Sequence, residues 1–189
     1  MANIPKSRTT PRKGASRATH PAGVLVTGEL VASRPLAAYE AKHGVKQYVA
    51  SIRRATPLQL MEAERTGVKA RLVKDLANEL RIPVARFYGM LDVPKATIEA
   101  KVARDEVVGG AGGQRALAMV RLLGQAHDIV SQSTAAGAAR FETAHWLGEW
   151  IETPQPALGG RKPSDLLDTP TGFEIVSRTL GALESGSYL

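Results

Sequence analysis

The side chains that could do chemistry are few and scattered. The chain has 189 residues with four histidines and no cysteine. His20, His43, His127 and His145 form neither an HExxH pair nor a metal-ligand cluster. There is no Gly-x-Ser-x-Gly elbow to expose a nucleophile, and no pair of carboxylates is set apart by its surroundings. His145 stands beside Trp146 and reads as packing; His127 reads as a partly buried residue at the edge of a core. Residues 109–113, GGAGG, invite a phosphate-loop reading. No Gly-Lys-Ser/Thr follows, the GxGxxG register fails at Arg115, and no clear strand precedes. A flexible hinge is expected there instead. Nothing supports a metal, a cofactor or an enzyme. An enzyme would need an acid/base set that the sequence does not supply.

Charge is the stronger signal. The formal net charge is +7. Residues 1–28 carry five bases and no acid, and residues 42–104 carry thirteen bases and six acids. Residues 105–189 reverse the sign, with six bases and ten acids. Basic chain attracts polyanions through counterion release, whereas acidic chain is repelled by them. Two halves of opposite sign point to two different partners. No apolar run approaches the roughly 20 residues of a membrane span. The N-terminus lacks a signal-peptide core, and the absence of cysteine suits a reducing cytosol. The expected location is cytoplasmic, away from membranes.

The elements that must position these charges read mostly as helix. Residues 1–22, rich in Pro, Ser, Thr and Arg, predict a disordered basic arm, either a polyanion contact or an inert solubilising tail. Residues 23–57 form an extension of uncertain structure. Within it GVLVTGELV suits a short strand, and the helical pattern that follows is interrupted at Gly44. Thr56 and Pro57 open a short helix that Gly67 ends. Val68, Leu72, Val73, Leu76 and Leu80 then recur at helical spacing up to Ile82-Pro83. Val84, Phe87, Tyr88 and Leu91 mark a shorter helix. Asp92-Val93-Pro94 is a turn, and a third helix follows with Ile98 and Val102 inward.

A short helix, a tight turn and another short helix on a longer one outline a helix-turn-helix. Residues 58–130 are read as that DNA-binding region with its connecting helix. Arg86, Lys95, Thr97, Lys101 and Arg104 are the candidate DNA contacts. A structural bundle with a solvated basic face is the alternative. Glu99 is an unhelpful charge on a groove-facing surface. After the glycines, Leu117, Val120, Leu123, Gly124 and His127 share one helical face. Ser131 to Gly137 break the helix, and residues 138–189 form a small C-terminal helical domain. Phe141, Ala144, Leu147 and Ile151 are its first buried face, with Trp146 and Trp150 beside it. Phe173, Val176, Leu180 and Leu183 are its last. Thr169 with Pro170, or Thr171 with Glu174, caps that last helix, and Gly186 ends it.

Between these two helices lies an irregular stretch. Pro154, Pro156 and Pro163 pre-set its backbone. Gly159 and Gly160 allow left-handed geometry or close approach by another backbone, and Arg161 and Lys162 follow directly. Ser164 is expected to cap a single turn that drives Leu166 and Leu167 inward. A loop so rigid loses little entropy on binding, but it also suits a plain tight connection between helices.

The pattern W-I-x-T-P-x-P-A-L-G-G-R-x-P-x-D-L-L-x-T-x-x-G starts at Trp150, and V-x-x-x-L-x-x-L-E-x-G-x-Y starts at Val176. Together they resemble the C-terminal toxin-binding domain of the Xre/MbcA/ParS antitoxins. Residues 68–130 are similar, less sharply, to that family's helix-turn-helix and connecting helix. The resemblance implies an all-α bacterial type II antitoxin partnered with a RES-domain toxin that consumes NAD⁺ or transfers ADP-ribose from it. It implies that the C-terminal domain covers the toxin's active-site cleft and that the helix-turn-helix binds operator DNA and represses the operon. Assembly would be a homodimer or a larger hetero-oligomer with the toxin. The implied toxin contacts are Trp150, Pro154, Leu158, Gly159, Gly160, Arg161, Lys162, Tyr188 and Leu189. A stand-alone transcription regulator with a C-terminal dimerisation domain is the alternative reading.

Overall fold

Thr56 and Pro57 show how local sequence sets this fold. In a computed structural model, which describes residues 35–132 and 140–183, Thr56 and Gln59 form a reciprocal capping box at the start of α2 (Pro57–Thr66). Gly67 ends that helix with φ 85°. A Cβ there would also lie 2.4 Å from the Val108 carbonyl oxygen, so glycine serves both the turn and a close approach. Before it, Gly44 (φ 73°) links a 3₁₀ turn, Ala41–His43, to α1 (Gly44–Arg53). The interruption read at Gly44 is therefore a helix start. Val45, Tyr48, Val49 and Ile52 form the buried stripe of α1.

Val68 is not in a helix, contrary to expectation. Gly67 turns the chain so that β1 (Val68–Lys69) pairs antiparallel with β2 (Val107–Val108). This ribbon closes around α3 (Ala70–Glu79), α4 (Val84–Met90) and α5 (Lys95–Ala103). Leu72, Val73 and Leu76 of α3, Phe87 and Tyr88 of α4, and Ile98 of α5 are buried in one hydrophobic core. Glu99 is held at the inner edge, accepting from Lys74 Nζ at 2.9 Å and from the Tyr88 hydroxyl at 3.2 Å. Burial, with help from Glu99, pushes the Tyr88 phenol up to about 12. The charge that looked misplaced for a groove-facing helix thus belongs to the side that packs on α3.

Residues 109–113 are not a hinge. They lead into the first turn of α6 (Gly110–Gln132). A Cβ on Gly113 would sit 2.2 Å from the Val108 carbonyl oxygen, and one on Gly112 would sit 2.3 Å from the Val93 side chain. Gly113 lets the helix start pass against backbone and Gly112 lets it pass against the Val93 side chain, which is the reverse of looseness. The single buried face read for α6 is also too narrow. Ala116, Met119, Leu122 and Ala126 are buried besides Leu117, Val120 and Leu123, because α1, α2, α7 and α8 all pack on this helix.

The C-terminal helices are α7 (Thr143–Ile151) and α8 (Pro170–Ala182). Ala144, Leu147 and Ile151 are buried as expected, but Phe141 precedes the helix and stays 46% exposed. Its ring leans on Trp146 at 5.9 Å. Thr169 caps α8 by accepting from the Gly172 amide, so the Thr171–Glu174 alternative is not used. One hydrophobic core runs through α1, α3, α4, α6, α7 and α8, and the described residues all lie in the compact unit Ala32–Leu189. Among the described residues the architecture is all-α apart from the ribbon of two two-residue strands. The basic arm, the short strand at residues 23–31, Gly186, Tyr188 and Leu189 lie outside the described residues.

Candidate binding surfaces

The loop between α7 and α8 is built around one residue that the sequence reading passed over. Gln155, flanked by Pro154 and Pro156, is buried. Its side-chain amide donates to the carbonyls of Trp150 (3.3 Å) and Thr153 (3.0 Å). Its backbone N–H donates to the Arg161 carbonyl, and its own carbonyl accepts from the amides of Leu158 and Gly160, all three at 3.0 Å. The chain around it makes a 3₁₀ turn, Pro156–Leu158, then Gly159 and Gly160 in left-handed conformation (φ 64° and 79°). Among the described residues nothing lies within 4 Å of where a Cβ would stand on either glycine. By contrast, a Cβ on Gly148 or Gly172 would strike backbone, at 2.0 Å from Leu80 O and 1.8 Å from Leu166 O. The pair at the loop tip is therefore bare outward backbone.

Pro154 and Arg161 are exposed beside these glycines, Leu158 is half-buried, and the Lys162 ammonium lies 3.5 Å from Glu152. Trp150 is not at the surface: it is buried and stacks on Trp146 at 6.3 Å, supporting the loop from beneath. Ser164 does not cap the turn Pro163–Asp165; the cap position is Lys162, without a side-chain cap bond. Ser164 is buried within the turn and its hydroxyl meets Arg86 and Glu152. Leu167 is buried and Leu166 partly so. The turn does drive this pair inward.

On the basic side, Lys95 and Thr97 are exposed in the first turn of α5. Lys101 and Arg104 converge on Glu106, at 3.4 and 2.7 Å. Hydrogen bonding from Arg104, joined by Lys101, holds the Glu106 carboxyl below its usual range. Arg86 points elsewhere: its guanidinium faces the C-terminal loop through Glu152. Arg115, also unanticipated, joins three parts. It donates to Leu91 O and Asp168 O, both at 2.8 Å, and lies 3.4 Å from the Asp92 carboxylate. It thus ties α6 to the α4–α5 turn and to the end of the loop. Among the described residues no three His, Asp or Glu side chains gather to hold a metal ion, and no helix is long and apolar enough to cross a membrane.

The fold and these surfaces define a helical binding protein with a basic helix pair on one segment and a rigid glycine-tipped loop on another. Residues 136–186 match the family described as the antitoxin Xre/MbcA/ParS C-terminal toxin-binding domain. The Prs ADP-ribosylating antitoxin of Sphingobium sp. (strain YBL2) is 33% identical over 135 residues, covering 71% of this chain and 84% of that protein. The chain belongs to the Xre/MbcA/ParS antitoxin family. It is the antitoxin of a toxin–antitoxin pair, a regulatory protein and not an enzyme.

Proposed function

We propose that this antitoxin neutralises a RES-domain toxin that consumes NAD⁺ or ADP-ribosylates a target, by covering its active-site cleft. The observation that carries this reading is the Gly159–Gly160 tip. Two exposed left-handed glycines with open space around them are held by the buried Gln155. Among the described residues nothing stands where their side chains would be, so their bareness suits another backbone. Preorganisation of this kind limits the entropy lost on binding. Arg161, exposed beside the tip, suits a bidentate pair with a toxin carboxylate. Tyr188 and Leu189, outside the described residues, would add an aromatic ring and an apolar side chain to that contact. The kinship with an antitoxin named for ADP-ribosylation supports the choice of toxin chemistry.

The same reading makes α4, the 91–94 turn and α5 a helix-turn-helix that contacts operator DNA through Lys95, Thr97, Lys101 and Arg104 and represses the operon. The excess of bases over acids in residues 42–104 favours it. Assembly would be a homodimer or a larger complex with toxin, in the cytoplasm. Residues 1–22 would be dispensable for neutralisation. The test is Gly160→Val: a β-branched residue at positive φ is strained by about 1–3 kcal/mol and blocks close approach. Mixed with the toxin encoded beside this chain, the variant should fail to stop NAD⁺ loss while its circular dichroism stays helical. Full neutralisation by the folded variant would remove the loop tip from the inhibitory surface.

A further inference from the structure

Arg86 was the DNA contact nearest the start of the helix pair, yet its guanidinium is spent on the other end of the chain. Its Nε donates to Glu152 Oε1 at 2.8 Å and its Nη2 to Glu152 Oε2 at 3.2 Å, a bidentate fork. The same Nη2 donates to the Ser164 hydroxyl at 3.2 Å and lies 3.7 Å from Asp165. Glu152 stands where α7 gives way to the glycine-tipped loop, and Ser164 lies in the turn that closes it. Glu152 also takes the Lys162 ammonium at 3.5 Å and the Ser164 hydroxyl at 3.5 Å. One side chain of α4 therefore touches both feet of the loop, and the carboxylate between them receives three donors.

We propose that Arg86 is a positioning residue: with Glu152 and Ser164 it forms a latch that holds the two feet of the 152–165 loop together and so keeps the Gly159–Gly160 tip in its presented shape. This deepens the reading of that tip as the toxin contact and rests on it for its purpose. Gln155 orders the inside of the loop, but its bonds all run within residues 150–161. The fork to Arg86 is what sets the loop on the body of the protein at α4. An ion pair this exposed adds little to global stability; what it supplies is direction, since a planar fork fixes the carboxylate in two places. Arg86 held in this way is not offered to a phosphate.

The test is a mutant cycle on the free chain. Arg86→Ala, Glu152→Gln and the double variant are compared by hydrogen exchange at the amides of Gln155, Leu158 and Gly160. Local opening of these bonds should become about tenfold faster in each single variant, with α5 and α8 amides unchanged. The double variant should be no faster than either single one, because both remove the same link. Wild-type protection in either single variant, or additive effects in the double, overturns the latch. Promoter binding by Arg86→Ala, read as affinity against salt, should keep its wild-type slope. A slope lower by about one unit would make Arg86 a phosphate ligand and also overturn it. These readouts involve no toxin, so the latch can fail while the toxin contact stands. The Gly160→Val experiment can likewise fail while the latch stands.

Discussion

Gly148→Ala should destabilise this protein, although the same change in most helices stabilises. Gly148 lies in the middle of α7, where a helix gains roughly 0.8–1.0 kcal/mol from Gly→Ala on propensity alone. In the fold its bare Cα faces the end of α3. An added Cβ would lie 2.0 Å from the Leu80 carbonyl oxygen and 3.0 Å from its carbon, where ordinary contact begins at 3.4 Å. The obstacle is backbone, which has no rotamer to change. Relief requires α7 to move off α3 by over an ångström, loosening Leu147 and Ile151, both fully buried. Overpacking of this kind costs about 1–3 kcal/mol, and a backbone clash belongs at the upper end. Subtracting the propensity gain leaves a net loss of about 2 kcal/mol, or roughly 4–8 °C in melting temperature for a chain of this size. The control is Gly89→Ala in α4, where none of the described residues lies within 4 Å of the new methyl. That variant should gain roughly 0.5–1 kcal/mol. Thermal melts followed by circular dichroism compare the two. If Gly148→Ala melts at or above the wild type, the close approach of α7 to the end of α3 is wrong.

Replacing Lys95, Lys101 and Arg104 by Ala should weaken promoter binding and remove roughly one unit of salt slope per lost phosphate contact; unchanged binding would take α5 out of the interface. Glu106→Gln probes the same face from the other side, since it frees Lys101 and Arg104 from their shared carboxylate; binding should tighten, and a loss of affinity would refute the assignment. Thr169→Ala deletes the hydrogen bond to the Gly172 amide and should lower stability by about 1 kcal/mol, seen as a fall of roughly 2–4 °C in the melt; no change would mean that Pro170 alone starts α8. Burial, with Arg53 and Lys46 nearby, holds the His127 pKa below its ordinary 6.5. The unfolded chain then binds a proton that the folded chain does not, so this contribution is complete above 6.5 and is lost as the pH falls beneath it. His127→Gln should flatten that decline in urea titrations at about pH 5 and about pH 7.5, and an unaltered pH dependence would show that His127 is not its source.

Helix starts were legible because capping is local. Thr56-Pro57 and Thr169-Pro170 carry the donor, the acceptor and the fixed φ within four residues, and the structure uses both. Leu72, Val73 and Leu76 of α3 and Val176 and Leu180 of α8 were legible for a similar reason, a helix that packs on one side repeating its apolar residues near every 3.6, although Phe173 and Leu183 at the ends of the α8 stripe are only partly buried. The long motif from Trp150 onward carried the family without any coordinates. What sequence could not determine were the meetings of distant chain. GGAGG has the composition of a hinge, and only the Val108 carbonyl pressed against Gly113 makes it a packed helix start. Val68 fits a helical stripe until β2, some forty residues later, offers it a partner. Arg86 looks like any basic residue of a DNA-facing helix, because the carboxylate that claims it, Glu152, is 66 positions away. Spacing along the chain records which face of a helix is apolar; it does not record which charge will stand opposite. That choice is made when α7 settles against the end of α3 at Gly148, a contact that only close backbone approach allows.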